Sequence, residues 1–138
     1  MKKVLVFGTF DLLHPGHLYF LEQARRHGNK LVVVVTRDEV VKKLKRKKPA
    51  LSERDRVAME GALRMVDDVL LGDRLGECKV VLREKPDVIV YGHDQIKDIF
   101  GLTKQLLQHQ LKIKTFRAES WNRRKFSSSR LRSLTPNP

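Results

Sequence analysis

Short apolar runs alternate with stretches in which apolar residues recur every three or four positions, and the alternation continues along almost the whole chain. The run K-V-L-V-F over 3–7 is apolar and β-branched, the mark of a strand covered on both faces. Beyond His17 the period lengthens. Leu18, Leu21 and Ala24 are apolar while Glu22, Gln23, Arg25 and Arg26 are not, which predicts a helix over 17–27 stopped by Gly28-Asn29. A second buried strand, L-V-V-V-V, follows over 31–35, and Asp38 is placed to cap a short helix over 39–45. Ser52, with Asp55 three residues on, opens the next helix, whose Val57, Ala58, Ala62 and Met65 keep helical spacing. Further strands are predicted over 69–71, 88–91 and 113–116. Helices are predicted over 75–84 and 96–111, the second with Ile99, Leu102, Leu106 and Leu107 inward, and a last short one from about Ser128. The tail 135–138 is expected to fray.

This alternation implies an α/β three-layer sandwich: a five-stranded, mostly parallel sheet with helices on both faces, forming a single domain over 1–134. Right-handed crossovers bring the carboxyl ends of the first and fourth strands side by side, at a switch point where ligands bind. Two polar stretches follow those strands, Gly8 to His17 and Gly92-His93-Asp94-Gln95. They are therefore expected to line one crevice.

Composition narrows the partners. With 41% hydrophobic residues in 138, the chain is long enough and apolar enough to bury a core. The lone cysteine, Cys78, excludes a disulfide framework and suits a reducing cytoplasm, the compartment expected. No apolar run reaches membrane-spanning length and no secretory signal is read. The net charge of +13 favours anions: nucleotides, flavin phosphates, nucleic acid or acidic lipid head groups. Aromatic residues are only 7% and sit mostly in apolar runs, so a stacking surface for nucleic acid is not predicted.

The densest chemistry lies between the first strand and the first helix, in Gly8-Thr9-Phe10-Asp11-Leu12-Leu13-His14-Pro15-Gly16-His17. Glycine there lets a ligand approach the backbone, and a helix start offers unpaired N–H groups to an anion. His14 and His17 are three residues apart and share a helical face, where imidazoles can donate to phosphate oxygens. A zinc site built on this pair with Asp11 lacks any further Cys or His at ligand spacing, so no protein metal site is assigned. Lys42, Lys43, Lys45, Arg46, Lys47 and Lys48 put six cations in seven positions, mostly a solvated helix end. Arg56 reads as a surface partner of Asp55 or Glu60, with contact to an anion as the alternative. In W-N-R-R-K-F-S-S-S-R, from Trp121 to Arg130, cations gather before three serines that open a helix. That is unfavourable unless a polyphosphate sits there, the alternative being a mobile basic tail. Asp94 either caps its loop or accepts from the exocyclic amino group of adenine or cytosine.

The string G-T-F-D-L-L-H-P-G-H after an amino-terminal strand resembles the signature of the cytidylyltransferase-like nucleotidyltransferases. The resemblance covers almost the whole chain. It implies a Rossmann-like sheet and transfer of a nucleoside monophosphate from a nucleoside triphosphate to a phosphorylated acceptor, with release of pyrophosphate. By this resemblance His14 and His17 bind the triphosphate and stabilise the transition state, while Gly8, Thr9, Phe10, Asp11 and Gly16 contribute to the nucleotide site. A lysine of the basic stretch, Lys47 or Lys48 with Lys45 nearby, reaches the triphosphate and the acceptor phosphate. The serine stretch is similar to the family's second signature, in which Ser127, Ser128 and an arginine, Arg123 or Arg124, hold the β- and γ-phosphates; here Lys125 stands where glycine is usual. Gly92 and Asp94 would touch the base. Within the family, K-P-D-V-I-V-Y-G-H-D-Q looks closest to archaeal FAD synthases, which implies ATP and FMN as substrates and Mg2+ brought on the triphosphate. The alternative is a CTP-dependent cytidylyltransferase acting on glycerol-3-phosphate or a similar alcohol phosphate. From another class comes a basic nucleic-acid-binding module. The resemblance allows a homodimer and implies no membrane and no specific nucleic acid as partners.

Overall fold

The computed structural model describes residues 2–74, 77–93, 95 and 108–120. Five strands, β1 (Lys3–Gly8), β2 (Lys30–Val35), β3 (Asp68–Leu71), β4 (Val88–Tyr91) and β5 (Lys114–Arg117), pair in the order β3-β2-β1-β4-β5. Every pairing among them is parallel, so the sheet is parallel throughout rather than mostly so. The order reverses between β1 and β4, which puts the switch point where the crossover rule places it.

The period-two pleat explains why the strands read as continuous apolar runs. Val4 and Val6 of β1, Leu31, Val33 and Val35 of β2, and Val88 and Val90 of β4 share one face with Leu21 and Ala24 of helix α1 (Pro15–Arg25). Val57 of helix α3 (Glu53–Gly61) packs against that cluster. Leu5, Val32, Val34, Ile89 and Tyr91 face the other way, onto Val80 and Val81 of helix α4 (Lys79–Glu84). Each such side chain, fully buried, contributes roughly 1.5–3 kcal/mol. Helix α2 (Asp38–Lys45) leaves the end of β2 with Val40 and Val41 buried. Among the described residues no helix is long and apolar enough to cross a membrane.

Several element ends differ from the pattern-based reading, each for a local reason. Helix α1 begins at Pro15, not His17, because His14 caps it and proline's fixed φ suits the first helical position. Asp38 does not cap α2; it is the first helical residue, and its carboxylate is drawn instead to Arg56 and to the Glu53 N–H. Ser52 does cap α3, accepting from the Asp55 N–H at 3.2 Å. The apolar spacing of α3 misleads, for Ala58 and Ala62 are exposed while Arg56 and Glu60 are its buried residues. Among the described residues the helix predicted over 75–84 is α4, where Asp73 accepts from the Val80 N–H at 2.9 Å. The helix predicted over 96–111 falls mostly outside the described residues. It stops short of Leu111, since His109 and Gln110 form a turn. The helix expected from Ser128 lies outside them altogether.

Candidate active site

His14 organises the first turn of α1. Its backbone is extended (φ −149°, ψ 168°), and its Nδ1 accepts from the Gly16 N–H at 3.0 Å. With Nδ1 accepting, Nε2 is the nitrogen left to donate a proton. The helix start proves less open to an anion than its position suggests. Pro15 has no N–H, Gly16 donates to His14 Nδ1, and His17 donates to the His14 carbonyl at 2.9 Å. The imidazoles, more than the first-turn amides, are what the turn presents.

His17 stacks on His14 with ring centroids 3.9 Å apart and meets the edge of Phe10 at 5.9 Å. Burial pushes its pKa down to about 4, and the charges of His14 and Lys45 act in the same direction, against the Leu12 carbonyl. His17 is thus neutral at physiological pH. Its Nδ1 is buried without a hydrogen-bond partner. Phe10 holds this arrangement from below. Its φ of 51° lies in the left-handed region, strain of about 1–3 kcal/mol for a non-glycine residue. Gly8 is required for the ring to fold back, since a Cβ there would stand 2.6 Å from two of its carbons.

Arg56, expected on the surface, is fully buried. Its guanidinium donates to the Thr9 carbonyl at 2.7 Å, the Thr36 carbonyl at 2.8 Å, the Leu51 carbonyl at 3.2 Å and Asp38 Oδ1 at 2.6 Å. One side chain thereby ties together the ends of β1 and β2, the start of α2 and the strap before α3. Burial alone would raise the Asp38 carboxyl, but Arg56 and the Glu53 N–H hold it below the ordinary carboxylate value. Asp11 is a tie of the same kind, its oxygens accepting from the Ala50 and Leu51 N–H groups, both at 2.8 Å. Burial works to raise its pKa, and these two bonds with the charges of Arg56 and Lys45 more than reverse it. The structure thus gives the Asp11 carboxylate to the strap that carries the basic residues.

A cavity of about 1010 Å³ opens over the carboxyl ends of the strands. Gly8, Thr9, Phe10, Asp11, His14, Gly16, His17, Lys45, Lys47, Lys48 and Gly92 all line it, so the structure brings these expected site residues together. Asp94, Arg123, Arg124, Ser127 and Ser128 lie outside the described residues. Around Gly92 the cavity is framed by polar side chains. Gln95 bonds both the Gly92 N–H and the Phe7 carbonyl, each at 2.7 Å, and Arg117 Nη1 donates to the carbonyls of Gly92 and His93. Gln23 of α1 bonds both the N–H and the carbonyl of Glu119, at 2.8 and 3.2 Å, which fixes the chain as it leaves β5.

A model of the cytidylyltransferase-like family matches residues 5–134. The chain belongs to the cytidylyltransferase-like family. A curated FAD synthase from Methanohalophilus mahii is 44% identical over 117 residues, which are 85% of this chain and 81% of that protein. A solved lipopolysaccharide core biosynthesis protein from Thermoplasma volcanium has a TM-score of 0.82 at 34% identity, over 88% of this chain and 99% of that one. A pantoate-beta-alanine ligase from Francisella tularensis, at 12% identity and a TM-score of 0.58, covers 97% of this chain and 66% of its own, and shares the fold alone.

As a member of the cytidylyltransferase-like family the chain is a nucleotidyltransferase. Its geometry suits that chemistry, since two stacked imidazoles and a lysine-bearing strap line one cavity at the switch point. Sequence reasoning missed Arg117, put Arg56 on the surface, and placed Gln95 in the crevice-lining stretch without giving it a role. Arg56 offered a signal, a cation in the first turns of a helix where it opposes the dipole. Arg117 offered none, because its partners, the Gly92 and His93 carbonyls, lie far away in the sequence, and the Phe7 partner of Gln95 is equally remote.

Proposed function

We propose that the chain is an FMN adenylyltransferase, which joins AMP from ATP to FMN to make FAD and pyrophosphate. The observation that carries this reading is the character of the cavity wall on the α4 face of the sheet. Phe7, Val34, Cys78, Val81 and Tyr91 form it, with Val41 and Leu44 added from α2. A planar tricyclic ring has a flat apolar face to lay along such a wall, where Leu44 and half-buried Phe7 still expose apolar surface, and a glycerol phosphate has none. A volume of about 1010 Å³ also reaches the upper end of the range for single-ligand pockets, as a site for two substrates needs. The FAD synthase of Methanohalophilus mahii supports the same choice.

In the reaction a phosphate oxygen of FMN forms a bond to the α-phosphorus of ATP. The bond from that phosphorus to the bridging oxygen breaks, and its electron pair leaves with pyrophosphate. The nucleophile is already ionised at neutral pH, so what the protein supplies is alignment and charge stabilisation. His14 donates from Nε2, His17 from a ring kept neutral until phosphate arrives, and Lys47 or Lys48 reaches across from the strap. Ser127, Ser128 and Arg123 or Arg124 hold the β- and γ-phosphates, while Gly92 and Asp94 meet the base. Among the described residues no three carboxylate, thiolate or imidazole groups gather to hold a metal ion. Mg2+ would come on the triphosphate's own oxygens and supply charge neutralisation there.

The test offers purified protein ATP or CTP with FMN or glycerol-3-phosphate and follows pyrophosphate. ATP with FMN is expected to turn over fastest. Faster turnover of CTP with glycerol-3-phosphate overturns the acceptor assignment and leaves nucleotidyl transfer standing.

A further inference from the structure

Gln95 stands at the fork where β1 and β4 part. In their parallel ladder Val6 lies opposite Val90, and the pairing ends there. Continuing the parallel pattern by one bond would join the Gly92 N–H to the Phe7 carbonyl. Gln95 takes both groups: Gly92 donates to its Oε1 at 2.7 Å, and its Nε2 donates to Phe7 at 2.7 Å. A side-chain amide is thus spliced into the sheet as though it were a missing peptide unit. Two hydrogen bonds and the width of an amide stand where a single bond of about 2.9 Å would otherwise close the strands together.

The surroundings make this splice consequential. Gln95 packs beneath Gly92, where an added Cβ would come within 3.3 Å of its Cγ. The Gly92 carbonyl is held in turn by Arg117 at 3.0 Å. Both polar groups of Gly92 are therefore fixed by side chains, and Gly92 and Gln95 both line the cavity beside Gly8 and Thr9. Without Gln95, the Phe7 carbonyl and the Gly92 N–H would each lose a partner. Bonding to each other is the nearest relief for two such groups, and it narrows the crevice.

We propose that Gln95 is a positioning residue for the nucleotide: its amide props the β1–β4 fork open and sets the loop that begins at Gly92 at the distance the nucleotide needs. The proposal rests on the nucleotide site and not on the identity of the acceptor, so its test uses ATP, and separately CTP, with no acceptor present. Gln95→Ala removes the splice, and Gln95→Met restores bulk and length without an amide. Both variants are expected to bind the nucleotide that wild type prefers about tenfold more weakly or worse by calorimetry, the consequence of two displaced, half-buried backbone groups. A crystal structure of Gln95→Ala should show the Gly92 N–H bonded directly to the Phe7 carbonyl. Nucleotide binding undiminished in either variant, affinity restored by methionine, or a fork that stays open in Gln95→Ala overturns the proposal. Failure of the FMN assay would leave this result untouched.

Discussion

At the scale of single residues, the site depends on side chains whose geometry and partners can be separated by substitution. His14 caps α1 through Nδ1 and, in the proposed mechanism, donates to phosphate from Nε2, so alanine would remove two functions at once. Asparagine can keep the cap, since it ranks among the best N-cap residues. His14→Asn is therefore expected to melt close to wild type yet lose about 10²–10³ in kcat, as one transition-state donor is worth roughly 2.7–4 kcal/mol. His17→Ala should show a similar loss. Turnover near normal in a folded His14→Asn protein would remove the imidazole from the mechanism. Arg56 makes the opposite kind of prediction. Its four acceptors are three carbonyls and a carboxylate, gathered around a side chain that is fully buried. Arg56→Met should lower unfolding free energy in urea by about 3 kcal/mol, chiefly by leaving the Thr9, Thr36 and Leu51 carbonyls without their donor, with a smaller part from the half-exposed Asp38. Adding Asp38→Asn should recover part of that loss, and complete additivity of the two changes would show that the pair is not coupled.

At the scale of elements, the strands were legible because a parallel strand covered on both faces has no polar position to hide. Helix α3 was not. Its apolar spacing pointed to Ala58 and Ala62, but the face that turns inward carries Arg56 and Glu60, four residues apart. Glu60 is fully buried and neither of its oxygens has a partner. Burial raises its pKa to about 7 from the ordinary 4.5. The native chain therefore binds more protons than the unfolded chain between these values. The stabilisation is fully present below about 4.5 and is lost as pH rises through about 7. Glu60→Met keeps the length and removes the ionisable group. It is expected to melt at a higher temperature than wild type at pH 8, by an advantage that shrinks steadily as pH falls toward 4.5. A difference between the two proteins that does not change with pH would show that Glu60 is not a buried acid.

At the scale of the whole molecule, the sequence alone established the alternation of strands and helices, the switch point between β1 and β4, and the glycine-and-histidine break that follows β1. These are written in local patterns: periods of two and of three to four, and turn residues at the places where the period changes. The positive balance of +13 was equally legible and agrees with a site for phosphates, although charge by itself selects no particular anion. Tertiary structure decided which groups are partners. Arg56 became a buried clamp because the ends of β1 and β2 present carbonyls to the start of α3. Asp11 became the anchor of the lysine strap because residues 50 and 51 pass beside it. Gln95 entered the ladder because β1 and β4, far apart in sequence, diverge within reach of its amide. The first-turn amides of α1, promising as an anion site in sequence, were taken up by His14 itself. The physical reason is common to Arg56, Asp11 and Gln95, whereas the His14 cap joins neighbours two residues apart. Period and turn chemistry depend on neighbours along the chain, whereas a polar group's burial and its hydrogen-bond partner depend on segments brought together only when the sheet forms.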